Sequence, residues 1–263
     1  MKAGSSLGFW LALLVAFAVS VNAHTHLRDL IIGGKTLDRG QCIRPYIDDT
    51  TYSYPAKDPN DIFMRCRTPY ANSTAKTMCD VQAGSTIKVE WHELIDPTSR
   101  GINPSHMGPC VAYMAPLSSN GDGKVWFKIY ENGYDPKTKK WCIDTVNDNN
   151  GTLPITIPSD LLKGSYLLRT EIIALHLAYV PFDKIKTGAE YYSNCAELNI
   201  VGGGNVVPPG VAFPGAYDIN GKGIVFNITA PFDSYPIPGP PLYKAGAVIK
   251  PCTTRKRRRR ELA

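Results

Sequence analysis

Apolar residues in this chain come in short runs separated by glycine, proline and other turn formers, the pattern of an antiparallel all-β domain. The stretch Thr86-Ile87-Lys88-Val89-Glu90-Trp91-His92 alternates cleanly, with Ile87, Val89 and Trp91 on one phase, and predicts a strand buried on one face. His92 falls on the polar phase and is expected at the surface. Residues 125–130, 166–175, 196–201 and 223–228 are further predicted strands; 166–175 is apolar on both phases and suits a central position. Residues 38–83 and 96–124 read as long irregular loops, and loops on a rigid sandwich are where a binding face is built. No sustained helical period and no repeat of solenoid length is present.

The first 23 residues follow another rule. Lys2 precedes an uncharged apolar run from Gly8 to Val19, and Val21-Asn22-Ala23 supplies small residues for cleavage. This is a secretory signal peptide rather than a membrane span. Cleavage after Ala23 makes His24 the first residue, offering an α-amine and an imidazole together. A second histidine elsewhere then completes a planar set of three nitrogens, which favours Cu(II). The reading that follows is a signal peptide over 1–23, one domain over 24–244 and a disordered basic tail over 245–263.

Seven cysteines in a secreted chain point to disulfides, and the odd count leaves one over, assigned to Cys252 in the tail. Sequons at Asn72, Asn150 and Asn227 fit a glycosylated surface. The formal charge of +6 belongs mostly to the run from Arg255 to Arg260, so the body carries little net charge and gives no sign of a nucleic-acid partner.

Five histidines exist. His106 sits in Ser105-His106-Met107-Gly108-Pro109, where glycine and proline stiffen the loop. His176 ends the central strand. In Glu190-Tyr191-Tyr192, an extended backbone puts Glu190 and Tyr192 on one face and Tyr191 on the other. His92-Glu93 begins like a HExxH zinc motif, but Asp96 stands where the second histidine is required. Gly202-Gly203-Gly204 is not followed by a helical pattern, and no G-x-S-x-G elbow occurs. His26 offers a competing amine–amide–imidazole copper site only if the N-terminal backbone is not tied into a strand.

In order, the chain carries a processed His24, SHMGP, LLRTEIIALH, YYSNCAELNIVGG, VAFPGAY and SYPIPGP. It resembles the fungal lytic polysaccharide monooxygenases of auxiliary activity family nine over nearly the whole mature length. The resemblance implies an immunoglobulin/fibronectin III-like antiparallel β-sandwich with long loops. It implies one copper held by His24 and His106, with Tyr192 axial and His176 beside the metal. It also implies a Cys66–Cys195 disulfide and places Tyr217 and Tyr235 where sugar rings would be met, with a plain core or surface role for both tyrosines as the equal alternative. The implied reaction is oxidative cleavage of β-1,4-glucan, cellulose or hemicellulose, at C1 or C4. Its partners are oxygen or hydrogen peroxide and an external electron donor, and the chain is read as a secreted monomer without a transmembrane anchor. One position departs: the family usually has glutamine two residues before the axial tyrosine, and here Glu190 stands there. The alternative class is a secreted copper-binding protein of the same fold that does not oxidise polysaccharide.

Overall fold

Two sheets face each other across an apolar layer in the computed structural model, which describes residues 24–45, 53–67, 73–94 and 96–246. The strands are β1 (His26–Ile32), β2 (Lys35–Thr36), β3 (Cys79–Gln82), β4 (Thr86–His92), β5 (Cys110–Pro116), β6 (Phe127–Asn132), β7 (Tyr134–Asp135), β8 (Lys140–Trp141), β9 (Thr152–Thr156), β10 (Gly164–Ala174) and β11 (Glu190–Val201). The helices are α1 (Cys142–Asp148) and α2 (Phe182–Ile185). One sheet has the order β2-β1-β4-β9 and the other β3-β11-β10-β5-β6, while β7 and β8 pair separately. Only β3 with β11 is parallel among these pairings. This is an antiparallel β-sandwich of the immunoglobulin/fibronectin III type with long loops.

The doubled apolar phase of β10 has a direct cause. Leu168 and Ile172 point between the sheets and pack with Leu30, Val89, Trp91 and Ile155. Leu167 and Ile173 point outward into a second cluster with Trp126, Trp141, Phe213 and Tyr191. Strand β5 is buried in the same two-sided way, so it lacks the alternation that would reveal it inside 96–124. Strand β3 lies inside 38–83 and has four residues, too few to set a period. Helix α1, at seven residues, is likewise too short to show one; the Asp144 carboxylate accepts a bond from Trp141 N at its start.

Two expectations fail here. Residues 223–228 form turns, not a strand: the Ile224 and Val225 amides both donate to the Gly221 carbonyl. An added Cβ on Gly223 would lie 2.3 Å from the Pro236 carbonyl, so this segment is pressed flat against its neighbour. His92 is buried, not exposed. The chain after β4 doubles back, His92 bridges to Arg100, and Glu93 N bonds to Ser99 O at 3.0 Å, which covers the end of the strand.

Disulfides join Cys42 to Cys79, Cys66 to Cys195 and Cys110 to Cys142. The second ties the loop around Met64 to β11. Cys252, Asn72, the segment 1–23 and the tail from 247 lie outside the described residues, whereas Asn150 and Asn227 are exposed. Among the described residues no helix is long and apolar enough to cross a membrane.

Candidate metal centre

Strand β11 starts at Glu190 and pairs with β10 residue for residue, Glu190 opposite Ala174 and Tyr192 opposite Ile172. Extended backbone therefore places Glu190 and Tyr192 on the same face, and the Tyr192 hydroxyl donates to Glu190 Oε2 at 2.8 Å. Tyr191 turns to the opposite face, where its ring stacks on Tyr217.

The loop that carries His106 is fastened to the end of β10. Ile173 N bonds to Pro109 O at 3.1 Å and Leu175 N to Met107 O at 2.9 Å. That close approach demands glycine at 108, because a Cβ there would lie 1.9 Å from the Ile173 carbonyl oxygen. On the near side, Asn103 holds the turn by accepting from His106 N through its carbonyl and from Ser105 N through its side chain. His106 is thereby buried and fixed, with Nε2 at 3.0 Å from the Tyr192 hydroxyl oxygen. His176 follows β10, and its ring lies 4.8 Å from that of His106, centroid to centroid. Its Nε2 is 3.8 Å from Glu190 Oε2. Ligand atoms of His106, His176 and Glu190 all fall within 4.8 Å of one another.

Electrostatics set the protonation of this group. Burial, then the charge and hydrogen bond of Glu190, push the Tyr192 phenol far above its ordinary value, so it stays neutral and donates. Lys57 Nζ lies 3.4 Å from Glu190 Oε1 on the solvent side and offsets the carboxylate. His24 stacks on Tyr54 at 4.3 Å between ring centroids. Burial holds its imidazole below the usual value, with Glu190 acting upward and Arg67 and Lys57 downward. His24 thus feels Glu190 but is not one of the residues in the His106–His176–Glu190 cluster. In the full-length chain its backbone nitrogen is an amide bonded to Ala23, so an α-amine at His24 requires cleavage there.

The donor set fits copper. It combines imidazole nitrogens with a phenol oxygen, a softer set than the all-oxygen shells of calcium or magnesium, with the Glu190 carboxylate beside it rather than in it. His26 does not offer the competing site: β1 pairs with β4 from His26 opposite His92 onward, and the His26 side chain is buried.

Tyr217 and Tyr235 are not surface aromatics, which corrects the expectation that they meet sugar rings. Tyr217 is 3% exposed and its hydroxyl donates to the buried Glu171 carboxylate. Tyr235 is 9% exposed and donates to the Gly223 carbonyl at 2.6 Å. Both rings fill the outer apolar cluster. The exposed apolar residues attached to the centre are instead Tyr54 against His24, Met107 beside His106 and Tyr179 just past His176. Sequence reasoning missed these and Lys57, because all four lie in loops where no periodicity marks an outward side chain.

The family model of Auxiliary Activity family 9 (formerly GH61) matches residues 24–235. AA9 family lytic polysaccharide monooxygenase A of Aspergillus terreus is 38% identical over 237 residues, covering 89% of this chain and 63% of that protein. AA9 family lytic polysaccharide monooxygenase A of Collariella virescens is 36% identical over 243 residues, covering 89% of this chain and 86% of that protein. Among solved structures, CvAA9A superposes with a TM-score of 0.76 at 34% identity, covering 84% of this chain and 98% of that one. A cellulose-active polysaccharide monooxygenase from M. thermophila superposes with a TM-score of 0.65 at 26% identity, covering 84% and 99%. This chain belongs to Auxiliary Activity family 9. It spans less than two thirds of the length of the Aspergillus terreus relative, at 63%. Membership implies a single active-site copper.

Proposed function

We propose that this chain is a secreted, copper-dependent lytic polysaccharide monooxygenase that cleaves β-1,4-glucan oxidatively at C1 or C4. The observation that carries the reading is the convergence of His106 Nε2 and the Tyr192 hydroxyl, 3.0 Å apart, beside His176 and Glu190 at one end of the sandwich. Removal of residues 1–23 frees the His24 amine. The amine and imidazole of His24 would then hold the metal with His106, and the Tyr192 hydroxyl, 3.0 Å from His106 Nε2, would lie beside it. When bound, copper supplies one-electron chemistry toward oxygen or hydrogen peroxide, fed by an external donor.

The protein's own residues do the rest. Tyr192 is kept protonated and directed at Glu190, so it offers its oxygen without the charge of a phenolate. His176, with a side chain 26% exposed and Nε2 near Glu190, can hold or pass a proton at the edge of the centre. Tyr54, Met107 and Tyr179 supply apolar surface on which glucan rings can rest. The relatives named cellulose-active and polysaccharide monooxygenases support this substrate class.

Calorimetry on two forms of the protein tests the metal assignment. A chain beginning at His24 is expected to bind one copper tightly. A chain retaining a single residue before His24 is expected to lose most of that affinity, because the amine is then an amide. Equal affinity in both forms would remove His24 from the ligand set.

A further inference from the structure

A second group of ligating side chains lies outside the centre just described. Strand β1 carries Asp29 and its neighbour β4 carries Glu90 and His92, with Asp29 directly opposite Glu90 in register. Asp29 and Glu90 are each 2% exposed and His92 is fully buried. One carboxylate oxygen from each acid and one ring nitrogen of His92 lie within 4.8 Å of one another.

Two observations mark the meeting point as able to take a cation. His92 Nδ1 donates to the Asp96 carbonyl at 3.2 Å, while Nε2 lies 2.7 Å from Glu90 Oε1. A neutral imidazole that donates through one nitrogen presents only a lone pair at the other. That 2.7 Å separation is a hydrogen bond and carries one proton between the ring and the carboxylate, and a metal binding at Nε2 would take the place of that proton. Separately, Asp29 Oδ1 is buried with no hydrogen-bond partner, even though Arg28 holds Oδ2. Arg100 Nε reaches Glu90 Oε1 at 3.1 Å, but the Arg100 side chain is 45% exposed and has room to turn into solvent.

We propose that Asp29, Glu90 and His92 form a binding site for a divalent cation of the zinc class, distinct from the copper centre. An imidazole whose far N–H bonds to a backbone carbonyl is the arrangement that orients metal-bound histidines. One imidazole with two carboxylates suits zinc better than calcium or magnesium, which take oxygen shells. The charges balance: a divalent ion replaces the second proton of His92 and the guanidinium of Arg100, so the cluster keeps the same net charge. The ion would pin β1 to β4 three residues beyond His26, and so anchor the strand that follows His24.

The test uses the mature protein, loaded first with one copper and then titrated with zinc chloride by calorimetry in two buffers of different ionisation enthalpy. The expected result is about one further zinc per chain, release of about one proton for each zinc bound, and copper retained. Asp29→Asn should weaken zinc binding by at least about tenfold while copper uptake is unchanged. No zinc uptake, zinc that displaces copper, or uptake indifferent to Asp29→Asn would each overturn the proposal. If Asp29→Asn does not fold, Arg100→Gln provides the check. Removing the competing guanidinium should tighten zinc binding, and an unchanged or weaker affinity would count against the site.

Discussion

The Tyr192 hydroxyl donates a hydrogen bond to Glu190 Oε2 at 2.8 Å, at the position where the sequence departs from the glutamine expected by resemblance to the family. Tyr192 and Glu190 are two residues apart on one face of β11, so the bond follows from strand geometry and not from a rearranged loop. Lys57 meets the other carboxylate oxygen and offsets its charge.

Glu190→Gln should therefore be tolerated structurally. The amide oxygen can accept from Tyr192 as the carboxylate does; the half-exposed Lys57 pair is lost, worth no more than about 1 kcal/mol, and the longer contacts to His106 and His176 lose the carboxylate charge. Copper affinity should change by less than about threefold, since Glu190 stands outside the proposed ligands. The effect should fall on turnover, raised about tenfold, because the amide adds a neutral donor where negative charge develops. Calorimetry and rate measurements on the same glucan check this. A collapse of copper affinity with turnover per copper unaltered would make Glu190 a ligand.

Gly108→Ala should disturb both stability and the metal. The added methyl has no room beside the Ile173 carbonyl, and the loop that carries His106 must lift from β10. Overpacking of this kind costs about 1–3 kcal/mol. Thermal unfolding should show that loss together with weaker copper binding. A variant as stable as the parent would mean that the loop does not depend on this contact.

Much of this architecture can be read from residue order, and the failures have physical causes. Strand β4 is legible at its observed bounds because Ile87, Val89 and Trp91 alternate with polar residues in the sequence, even though Glu90 and His92 are also covered. Strand β10, expected over 166–175 and observed over Gly164–Ala174, stands out because Tyr166, Leu167, Leu168, Ile172 and Ile173 put apolar residues on both phases. Strand β5 is covered in the same way but, at seven residues between loops, has no such contrast. For the centre, the shared face of Glu190 and Tyr192 followed from period two alone. The burial of Tyr217 did not, because it depends on Glu171 lying beneath it, and no local pattern records that pairing. His92 misled for a similar reason: its strand phase is polar, yet the returning loop at Arg100 covers it.

His26 gives the fold a pH dependence. Burial above all, with the neighbouring His92 acting the same way, lowers its pKa from 6.5 to about 3. In the unfolded chain the ring protonates below its ordinary value, so the unfolded state binds more protons between those two values. Stability is full above pH 6.5 and is lost as pH falls toward 3. Between pH 7 and pH 4.5 the loss from this group is about 2–3 kcal/mol at most. Urea unfolding of the metal-free protein at both pH values should show a larger drop for the parent than for His26→Gln. Equal drops would mean that His26 is not the group responsible.

Product analysis tests the central claim most directly. The mature copper-loaded protein is incubated with cellulose and with soluble β-glucans, with and without an added reductant, and the released material is examined by mass spectrometry. Oligosaccharides oxidised at C1 or C4 should form only when copper and reductant are both present, and should disappear in His106→Ala. Absence of oxidised products on every β-glucan, from protein that binds one copper with His24 free, would contradict the account and leave a copper-binding protein of the same fold.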